Sequence, residues 1–224
     1  MKKSPEGKVA RILDDFGINL VLDVGANIGQ TGDKLRNAGY CGRIVSFEPV
    51  PSAHAALTEE AQRDERWDVA PRTAIGAAVG EAQINVSQSK DLSSILEPKE
   101  TLLQTLPKTE MVEKVATPVT TIEAAWTTYC ASDDRVFLKV DTQGFERQVL
   151  EGAKVSQKNI LGVQLELSLL PLYEGEETYL TFLQDLHAMG LEPFMVWENY
   201  FLASMGVKCR WMSSSCVSTH KRDN

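Results

Sequence analysis

Continuous apolar runs alternate with amphipathic segments along most of the chain. The amphipathic segments have helical composition, and the apolar runs have the length of strands without a clean alternation of polar residues. Strands of this kind, separated by helices, are typical of a mostly parallel sheet that is covered on both faces. Five such strands are predicted, at residues 19–25, 42–49, 72–87 (with a turn at Gly80), 135–141 and 160–168.

The chain ends and two irregular segments complete the predicted organisation. A helix is expected within residues 1–18, and residues 191–197 and 206–219 are predicted to form two further strands. Residues 90–118 contain three prolines and are predicted to form a surface excursion, as are residues 168–177. The chain has no internal repeat and no evident linker, so its 224 residues are predicted to form a single domain.

Charge and cysteine content narrow the classes of function. The formal charge of −8 and a pI near 5.0 argue against non-specific nucleic-acid binding, which requires clustered Lys and Arg. The first residues lack the apolar run of a signal peptide, and no window approaches the roughly 18 apolar residues of a membrane span. The four cysteines are never spaced as C-x-x-C, so reduced thiols in a cytoplasmic protein are expected. No segment has metal-ligand spacing.

A glycine turn follows the first strand, with Gly25, Asn27 and Gly29 in the spacing G-x-N-x-G. A dinucleotide-binding turn has the spacing G-x-G-x-x-G, so Asn27 stands where a glycine would admit the pyrophosphate. An NAD(P)-dependent oxidoreductase is therefore the alternative rather than the favoured function. A tight connection that binds no ligand is the structural alternative for the turn.

Two acidic residues accompany this turn. Asp23 ends an apolar strand, where a carboxylate is costly unless it has partners, and an amine-bearing or positively charged ligand would supply one. Glu48 closes the next strand, where an acidic residue is well placed to accept hydrogen bonds from ribose hydroxyls. Alternatively, Glu48 only caps the strand end before Pro49.

The segment LKVDTQGFE gathers ionisable residues around the end of the fourth strand. Lys139 and Asp141 share a face of that strand because side chains alternate. Glu146 falls in the first turn of the next helix, where the helix dipole favours a negative charge, and this is a sufficient structural reason for it. Lys139 either belongs to the site or pairs with Asp141 or Glu166 for structural reasons.

Several segments together resemble a known family. VLDVGANIGQ and VSFEPVPSAHAAL look like the first two motifs of class I S-adenosylmethionine-dependent methyltransferases. FLKVDTQGFERQVLEGA narrows the resemblance to the FkbM-type methyltransferases, and AIGAAVGEAQINVS, SSIL and VQLELS follow the order that this family shows. The resemblance covers residues 21–170.

The resemblance implies an α/β fold with a Rossmann-like, seven-stranded, mostly parallel sheet, an antiparallel last strand and helices on both faces. It implies S-adenosylmethionine as methyl donor, S-adenosylhomocysteine as product and O-methylation as the usual reaction. Carried over by position, Glu48 would hold the ribose hydroxyls, and Ala74 and Ile75, ending the third strand, would contact the adenine. Ser93 or Ser94 would help to enclose it. The residues around the rest of the donor would be Asp23, Gly25, Ala26, Asn27, Gly29 and Asp141.

Methyl transfer to an alcohol requires an aligned acceptor oxygen and a base for its proton. We expect Asp141 to orient the acceptor hydroxyl and take its proton, and Glu166 to bind or orient the acceptor from the other side. His187 and His220 are expected to lie outside the site, and His54 is a minor candidate for the base.

The expected acceptor is a small molecule or a carbohydrate, not a nucleic acid. Residues 90–118, 168–177 and 197–206 are expected to form its site because little chain precedes the first strand. Trp197, Tyr200 and Phe201 would stack on a sugar or aromatic acceptor, or else pack between the last strands, and for Trp197 the core is favoured. A catalytically silent cofactor-binding module is the second alternative function, and the acceptor's identity and the oligomeric state stay open.

Overall fold

The fold is taken from a computed structural model, which describes residues 4–88, 91–105, 110–154, 159–200 and 213–220. Side chains are described for these residues except at positions 105, 198–200 and 213–220. In chain order, the elements are α1 (Pro5–Asp15), β1 (Leu20–Val24), α2 (Gln30–Asn37), β2 (Arg43–Phe47), α3 (Pro51–Ala61), β3 (Trp67–Val69), β4 (Ala74–Ile75), β5 (Gly80–Ser87), α4 (Glu100–Thr105), β6 (Met111–Thr120), α5 (Ile122–Tyr129), β7 (Val136–Val140), α6 (Glu146–Glu151), β8 (Ile160–Ser168), α7 (Tyr179–Ala188), β9 (Leu191–Tyr200) and β10 (Ser213–His220).

The predicted N-terminal helix is α1, which begins where the local sequence supplies a cap. Ser4 Oγ accepts a hydrogen bond from the backbone N–H of Gly7 at 3.2 Å, and Pro5 occupies the first helical position. This satisfies one of the free donors of the first turn, and a proline there removes another. No helix among the described residues is both long and apolar enough to cross a membrane.

The main sheet has the order β3-β2-β1-β7-β8-β10-β9 in the described part of the chain. The strands β3, β2, β1, β7 and β8 are mutually parallel, and β10 runs antiparallel to both β8 and β9. The predicted α/β class with a mostly parallel sheet is therefore confirmed. Both predicted C-terminal strands are present as β9 and β10, and residues 206–212 lie outside the described residues.

The central strands lack polar alternation because both of their faces are buried. Leu20, Leu22 and Val24 of β1 belong to a core that also includes residues of α5, α6 and α7. Val21, on the opposite face of β1, packs in a second core with residues of α1, α2 and α3. Each strand therefore contributes to two apolar layers, as expected for a sheet covered on both sides.

The predicted strand segment 72–87 does contain two strands, β4 and β5, but neither belongs to the main sheet. Trp67–Val69, not Ala74–Ile75, pairs with β2 as the third strand of the main sheet. Ala74 and Ile75 form β4 of a separate three-stranded sheet with the order β4-β6-β5. The segment 90–118, which was predicted to be irregular, also contains regular structure, because α4 and β6 both begin within it.

Pro118 explains why β6 was missed. It lies within the central strand of the small sheet, opposite Glu81 of β5, where a proline cannot donate a hydrogen bond to the ladder. Only two of the ten residues of β6 are buried, so the strand also lacks the apolar run that identified the others.

The strand order reverses between β1 and β7, and this junction positions the candidate site. Asp23 is opposite Lys139 in the register, and the backbone N–H of Asp141 donates to the carbonyl oxygen of Val24 at 3.0 Å. In open α/β sheets, ligands bind outside the carboxyl ends of strands at such a switch point.

Candidate active site

A cavity of about 530 Å³ lies at the carboxyl ends of β1, β2, β7 and β8. Helices α1 and α2 contribute one wall, and residues of the small sheet and of the segment 91–95 contribute the other. Of the residues predicted for the site, the following line this cavity: Gly25, Ala26, Asn27, Glu48, Ala74, Ile75, Ser93, Ser94, Lys139, Asp141 and Glu166. Asp23 and Gly29 do not line it.

Gly25 allows the ends of β1 and β7 to approach closely. Its φ is +73°, and a Cβ built on it would lie 1.9 Å from the backbone oxygen of Asp141. No side chain larger than hydrogen fits this contact without movement of one strand. Gly29 has a different role, because its nearest neighbours are the side chains of Trp67 and Leu57 beneath α2.

The backbone donors of the glycine turn are already paired. The N–H groups of Gly25 and Ala26 both donate to the carbonyl oxygen of Phe47, at 3.0 and 3.1 Å. The N–H of Asn27 donates to Glu48 Oε2 at 2.7 Å. A dinucleotide turn offers such groups to a pyrophosphate, and here they are held by β2 and the residue that follows it.

Glu48 is 5% exposed and accepts two backbone hydrogen bonds. Besides the bond from Asn27, its Oε1 accepts from the N–H of Val50 at 2.8 Å. Burial raises the pKa of the Glu48 carboxyl to about 7, although both backbone donors act to lower it. Glu48 does cap the strand end, and since a carboxylate has about four acceptor positions, capacity for ribose hydroxyls remains.

Asp23 is fully buried, and its ion-pair partner among the described residues is Lys139. Lys139 Nζ lies 2.9 Å from Asp23 Oδ1 and donates to the carbonyl oxygen of Gly25 at 3.1 Å. Burial by itself lowers the pKa of this ammonium, but the charges of Asp23, Asp141 and Glu166 outweigh burial and raise the pKa above its ordinary value. Lys139 therefore stays protonated and is a fixed positive charge, not a base.

Asp141 extends from the end of β7 into the cavity with 29% of its side chain exposed. Its Oδ2 lies 3.8 Å from Lys139 Nζ, and its Oδ1 accepts a hydrogen bond from Gln143 Nε2 at 2.7 Å. Gln164 pairs with Lys139 in the register of β8, so Gln164 and Glu166 face the same cavity. The predicted grouping of Lys139, Asp141 and Glu166 is thus present in space.

Glu146 holds the turn between β7 and α6. It is almost fully buried, and its Oε1 accepts from the N–H of Thr142 at 2.9 Å, from Thr142 Oγ1 at 3.1 Å and from the N–H of Gly144 at 3.3 Å. Burial raises the pKa of the Glu146 carboxyl to about 7. These contacts give Glu146 a structural role in the turn, and its side chain does not line the cavity.

The segment 91–96 crosses the cavity and contacts both of its sides. Asp91 Oδ1 accepts from Asn27 Nδ2 at 2.6 Å, and Ser94 Oγ donates to the carbonyl oxygen of Gln143 at 2.7 Å. Ser93 Oγ accepts from the N–H of Ser87 at 3.1 Å. Within residues 168–177 no side chain lines the cavity, but the hydroxyl of Tyr173 donates to the carbonyl oxygen of Leu92 at 3.0 Å.

Sequence reasoning missed Gln143, Gln164, Asp91 and Tyr173. Gln143 lies within a segment that was recognised, but its φ of +55° and its contact with Asp141 have no signature in the sequence. Gln164 could have been found from strand alternation, since it is two residues before Glu166 on β8. Asp91 and Tyr173 reach the site only through contacts between distant segments.

The remaining candidates have the following positions. Trp197 packs against the core on the α1 side, as favoured from the sequence, and it also lines the cavity, so stacking on an acceptor stays a prediction. The side chain of Tyr200 and all of Phe201 lie outside the described residues, as does the side chain of His220. His187 is exposed and 3.2 Å from Glu192 Oε1, and the Nε2 of His54 lies 2.8 Å from the carbonyl oxygen of Ala70.

No group of three or more His, Cys, Asp or Glu side chains in the described part of the chain is arranged to hold a metal ion.

Solved structures resemble this one at low sequence identity. The METTL16 methyltransferase domain has a TM-score of 0.52 at 8% identity, over 96% of this chain and 67% of that one. Magnesium protoporphyrin IX methyltransferase from Synechocystis PCC 6803, with bound S-adenosylhomocysteine, has a TM-score of 0.51 at 9% identity, over 96% and 82%. TehB from Haemophilus influenzae has a TM-score of 0.49 at 13% identity; 96% of this chain is covered, but only 62% of the length of TehB.

The sequence itself matches the methyltransferase FkbM domain over residues 23–193. No curated protein matches it. The matched region runs from Asp23 of β1 into β9 and includes every described strand end that forms the cavity. The chain therefore belongs to the FkbM family of S-adenosylmethionine-dependent methyltransferases.

Proposed function

We propose that this protein transfers the methyl group of S-adenosylmethionine to a hydroxyl of an uncharged small molecule or glycan. The observation that carries the proposal is that two chemically different groups of side chains line one cavity. One half of the lining combines apolar side chains with the carboxylate of Glu48, and the other half combines two carboxylates with an amide. Gly25 and Asp141, which also line the cavity, approach each other closely.

The first half fits an adenosine. Ala74 and Ile75 are buried and line the cavity together with Ile84, which provides an apolar surface for a purine. Glu48 supplies carboxylate oxygens that ribose hydroxyls would donate to. The paired N–H groups of the glycine turn favour a donor without a pyrophosphate, and this argues against the oxidoreductase alternative.

The second half fits an acceptor that donates hydrogen bonds. The carboxylates of Asp141 and Glu166 and the amide of Gln164 present oxygens that hydroxyl groups can donate to, and Trp197 adds an aromatic surface. The ammonium of Lys139 is held by Asp23 and Asp141, so it is a poor partner for an anionic acceptor. An uncharged, hydroxyl-bearing molecule suits this combination better than a phosphorylated one.

The chemistry assigned to the chain is limited to orientation and proton removal. S-adenosylmethionine, when bound, supplies a methyl group on a positively charged sulfur. Asp141 Oδ2 would take the hydroxyl proton of the acceptor as the acceptor oxygen bonds to the methyl carbon and the sulfur–carbon bond breaks. An alcohol is a weak acid at neutral pH, so the proton leaves late, in the transition state. Lys139 stabilises the carboxylate before transfer without giving up a proton itself.

Two measurements test the proposal. Calorimetric titration with S-adenosylmethionine, S-adenosylhomocysteine and NADH is expected to show micromolar binding of the first two compounds only. Methyl-labelled donor with a panel of sugars and hydroxylated small molecules identifies the acceptor. With that acceptor, Asp141→Asn is expected to lose about 10²–10⁴-fold in kcat, the usual contribution of a general base, with unchanged donor binding. Near-normal turnover of Asp141→Asn would remove this residue from the chemistry.

A further inference from the structure

We propose that Gln143 is a positioning residue that fixes the carboxylate of Asp141 with Oδ2 directed at the point of methyl transfer. The inference rests on the proposed function, because it concerns how the proposed base is held. The observations behind it are the backbone conformation of Gln143, two contacts of its side chain and one contact of its main chain.

The backbone conformation of Gln143 is unfavourable for its residue type. Among the described residues, only Asn27 and Gln143 have a positive φ without being glycine, at +50° and +55°, and both line the cavity. Glycine adopts this conformation without strain, whereas glutamine does not. A glycine at position 143 would serve the turn better, so the retained side chain points to a function in the cavity.

The side chain of Gln143 is held between two fixed groups. Its Nε2 donates to Asp141 Oδ1 at 2.7 Å, and its Oε1 lies 3.5 Å from the hydroxyl of Tyr173. Tyr173 is almost fully buried, and its hydroxyl is bonded to the carbonyl oxygen of Leu92. An ionised carboxylate only accepts hydrogen bonds, so the amide must present its N–H to Asp141, and its oxygen then lies on the side of Tyr173.

The main chain of Gln143 is fixed as well. Its carbonyl oxygen accepts a hydrogen bond from Ser94 Oγ at 2.7 Å, which joins the turn to the segment that crosses the cavity. With Oδ1 of Asp141 bound to the amide, the carboxylate cannot rotate about its last bond without losing that hydrogen bond. Oδ2 is then the oxygen left for the acceptor proton, as proton removal requires.

A donor analogue tests this orientation without knowledge of the acceptor. Sinefungin resembles S-adenosylmethionine but has a carbon in place of the sulfur and an amino group in place of the methyl group. Its amine therefore probes the point of transfer. S-adenosylhomocysteine lacks any group there. A charge-assisted hydrogen bond to Asp141 is expected to make sinefungin bind about tenfold or more tightly than S-adenosylhomocysteine to the unmodified protein. The ratio of the two dissociation constants is the readout, measured by calorimetry.

Gln143→Gly is expected to bring this ratio to within about threefold of unity, while the affinity for S-adenosylhomocysteine changes by less than about twofold. Its midpoint of thermal unfolding is expected within about 3 °C of the unmodified protein, because relief of the backbone strain offsets the lost hydrogen bond. Gln143→Met keeps the side-chain length without an N–H donor and is expected to lower the ratio equally. Gln104→Met is the matched control: it removes a hydrogen bond from a glutamine amide to the carboxylate of Glu100 outside the cavity, and it is expected to leave the ratio unchanged.

Each outcome decides the inference. A ratio that persists in both Gln143 variants but collapses in Asp141→Asn would overturn the positioning role and leave the proposed base intact. A ratio near unity in the unmodified protein, or one that Asp141→Asn does not alter, would overturn both the positioning role and the assignment of Asp141. Binding of neither compound would overturn the assignment of the donor and the inference with it.

Discussion

Replacement of Gly25 by alanine tests the close approach of β1 and β7 on which the cavity depends. A Cβ at this position would lie 1.9 Å from the backbone oxygen of Asp141 and 2.8 Å from its carbonyl carbon. Both contacts are with main chain, so no side-chain rotation relieves them. The strand ends must separate, and the hydrogen bond from the N–H of Asp141 to Val24 is then stretched or lost.

The cost of Gly25→Ala has two parts. An L-residue in the left-handed conformation costs about 1–2 kcal/mol. Forcing extra volume into a packed contact typically costs about 1–3 kcal/mol more. The free energy of unfolding is therefore expected to fall by about 2–5 kcal/mol, and affinity for S-adenosylhomocysteine is expected to fall with it, because the separated strand ends form the floor of the cavity.

Gly39→Ala provides the matched control. Gly39 has a φ of +98° at the end of α2, and a Cβ there would meet nothing within 4 Å. This variant therefore carries the conformational cost of about 1–2 kcal/mol without the collision. Urea-induced unfolding followed by tryptophan fluorescence gives both values. Equal free energies of unfolding for the two variants would refute the argument that the approach of the strands excludes a Cβ.

Three further predictions concern two buried charges and the hydrogen bond from Tyr173 to the segment 91–96. Lys139→Met leaves the carboxylate of Asp23 buried without its partner and is expected to lower the free energy of unfolding in urea by about 3–5 kcal/mol. Adding Asp23→Leu to this variant should recover part of the lost stability. No recovery would contradict a direct pairing of the two side chains. The folded-state pKa of Glu48 is raised to about 7 from 4.5, so the folded state binds more protons between these values, and the residue's contribution to stability falls as pH rises through that window. The stability of Glu48→Gln, measured by urea unfolding from pH 4 to 8, should therefore fall less with pH than that of the unmodified protein, and parallel curves would contradict the shift. Tyr173→Phe removes one hydrogen bond to the segment 91–96 and is expected to lower the free energy of unfolding in urea by about 1 kcal/mol. It is also expected to raise the KM for the acceptor once that acceptor is identified. An unchanged KM would show that this hydrogen bond does not affect the site.

Local patterns were sufficient to predict the strands of the main sheet except β3, together with many of the residues that line the cavity. The strands that form the cavity floor are buried on both faces, so their apolar runs are continuous and visible in the sequence. Gly25, Glu48 and Asp141 are each the first residue after the end of such a strand. Their meeting in space then follows from the rule that parallel strands present their carboxyl ends at one edge of the sheet.

Contacts between distant segments could not be predicted in the same way. Asn27 and Asp91 are 64 positions apart and are joined by one side-chain hydrogen bond, which leaves no periodic signal. Asp23 was expected to face the donor, but the structure buries it behind Lys139, and only the pairing register of β1 with β7 reveals this. The strand β6 was missed because only two of its ten residues are buried and it contains a proline.

The paired N–H groups of the glycine turn have a consequence for changing the cofactor class. Asn27→Gly would restore the middle glycine of a dinucleotide motif, yet the donors that such a motif offers would still be bound to Phe47 and Glu48. The end of β2 therefore contributes, together with the spacing of the glycines, to the preference for a cofactor without a pyrophosphate. An engineered exchange of cofactor would have to rebuild the end of β2 as well as the turn.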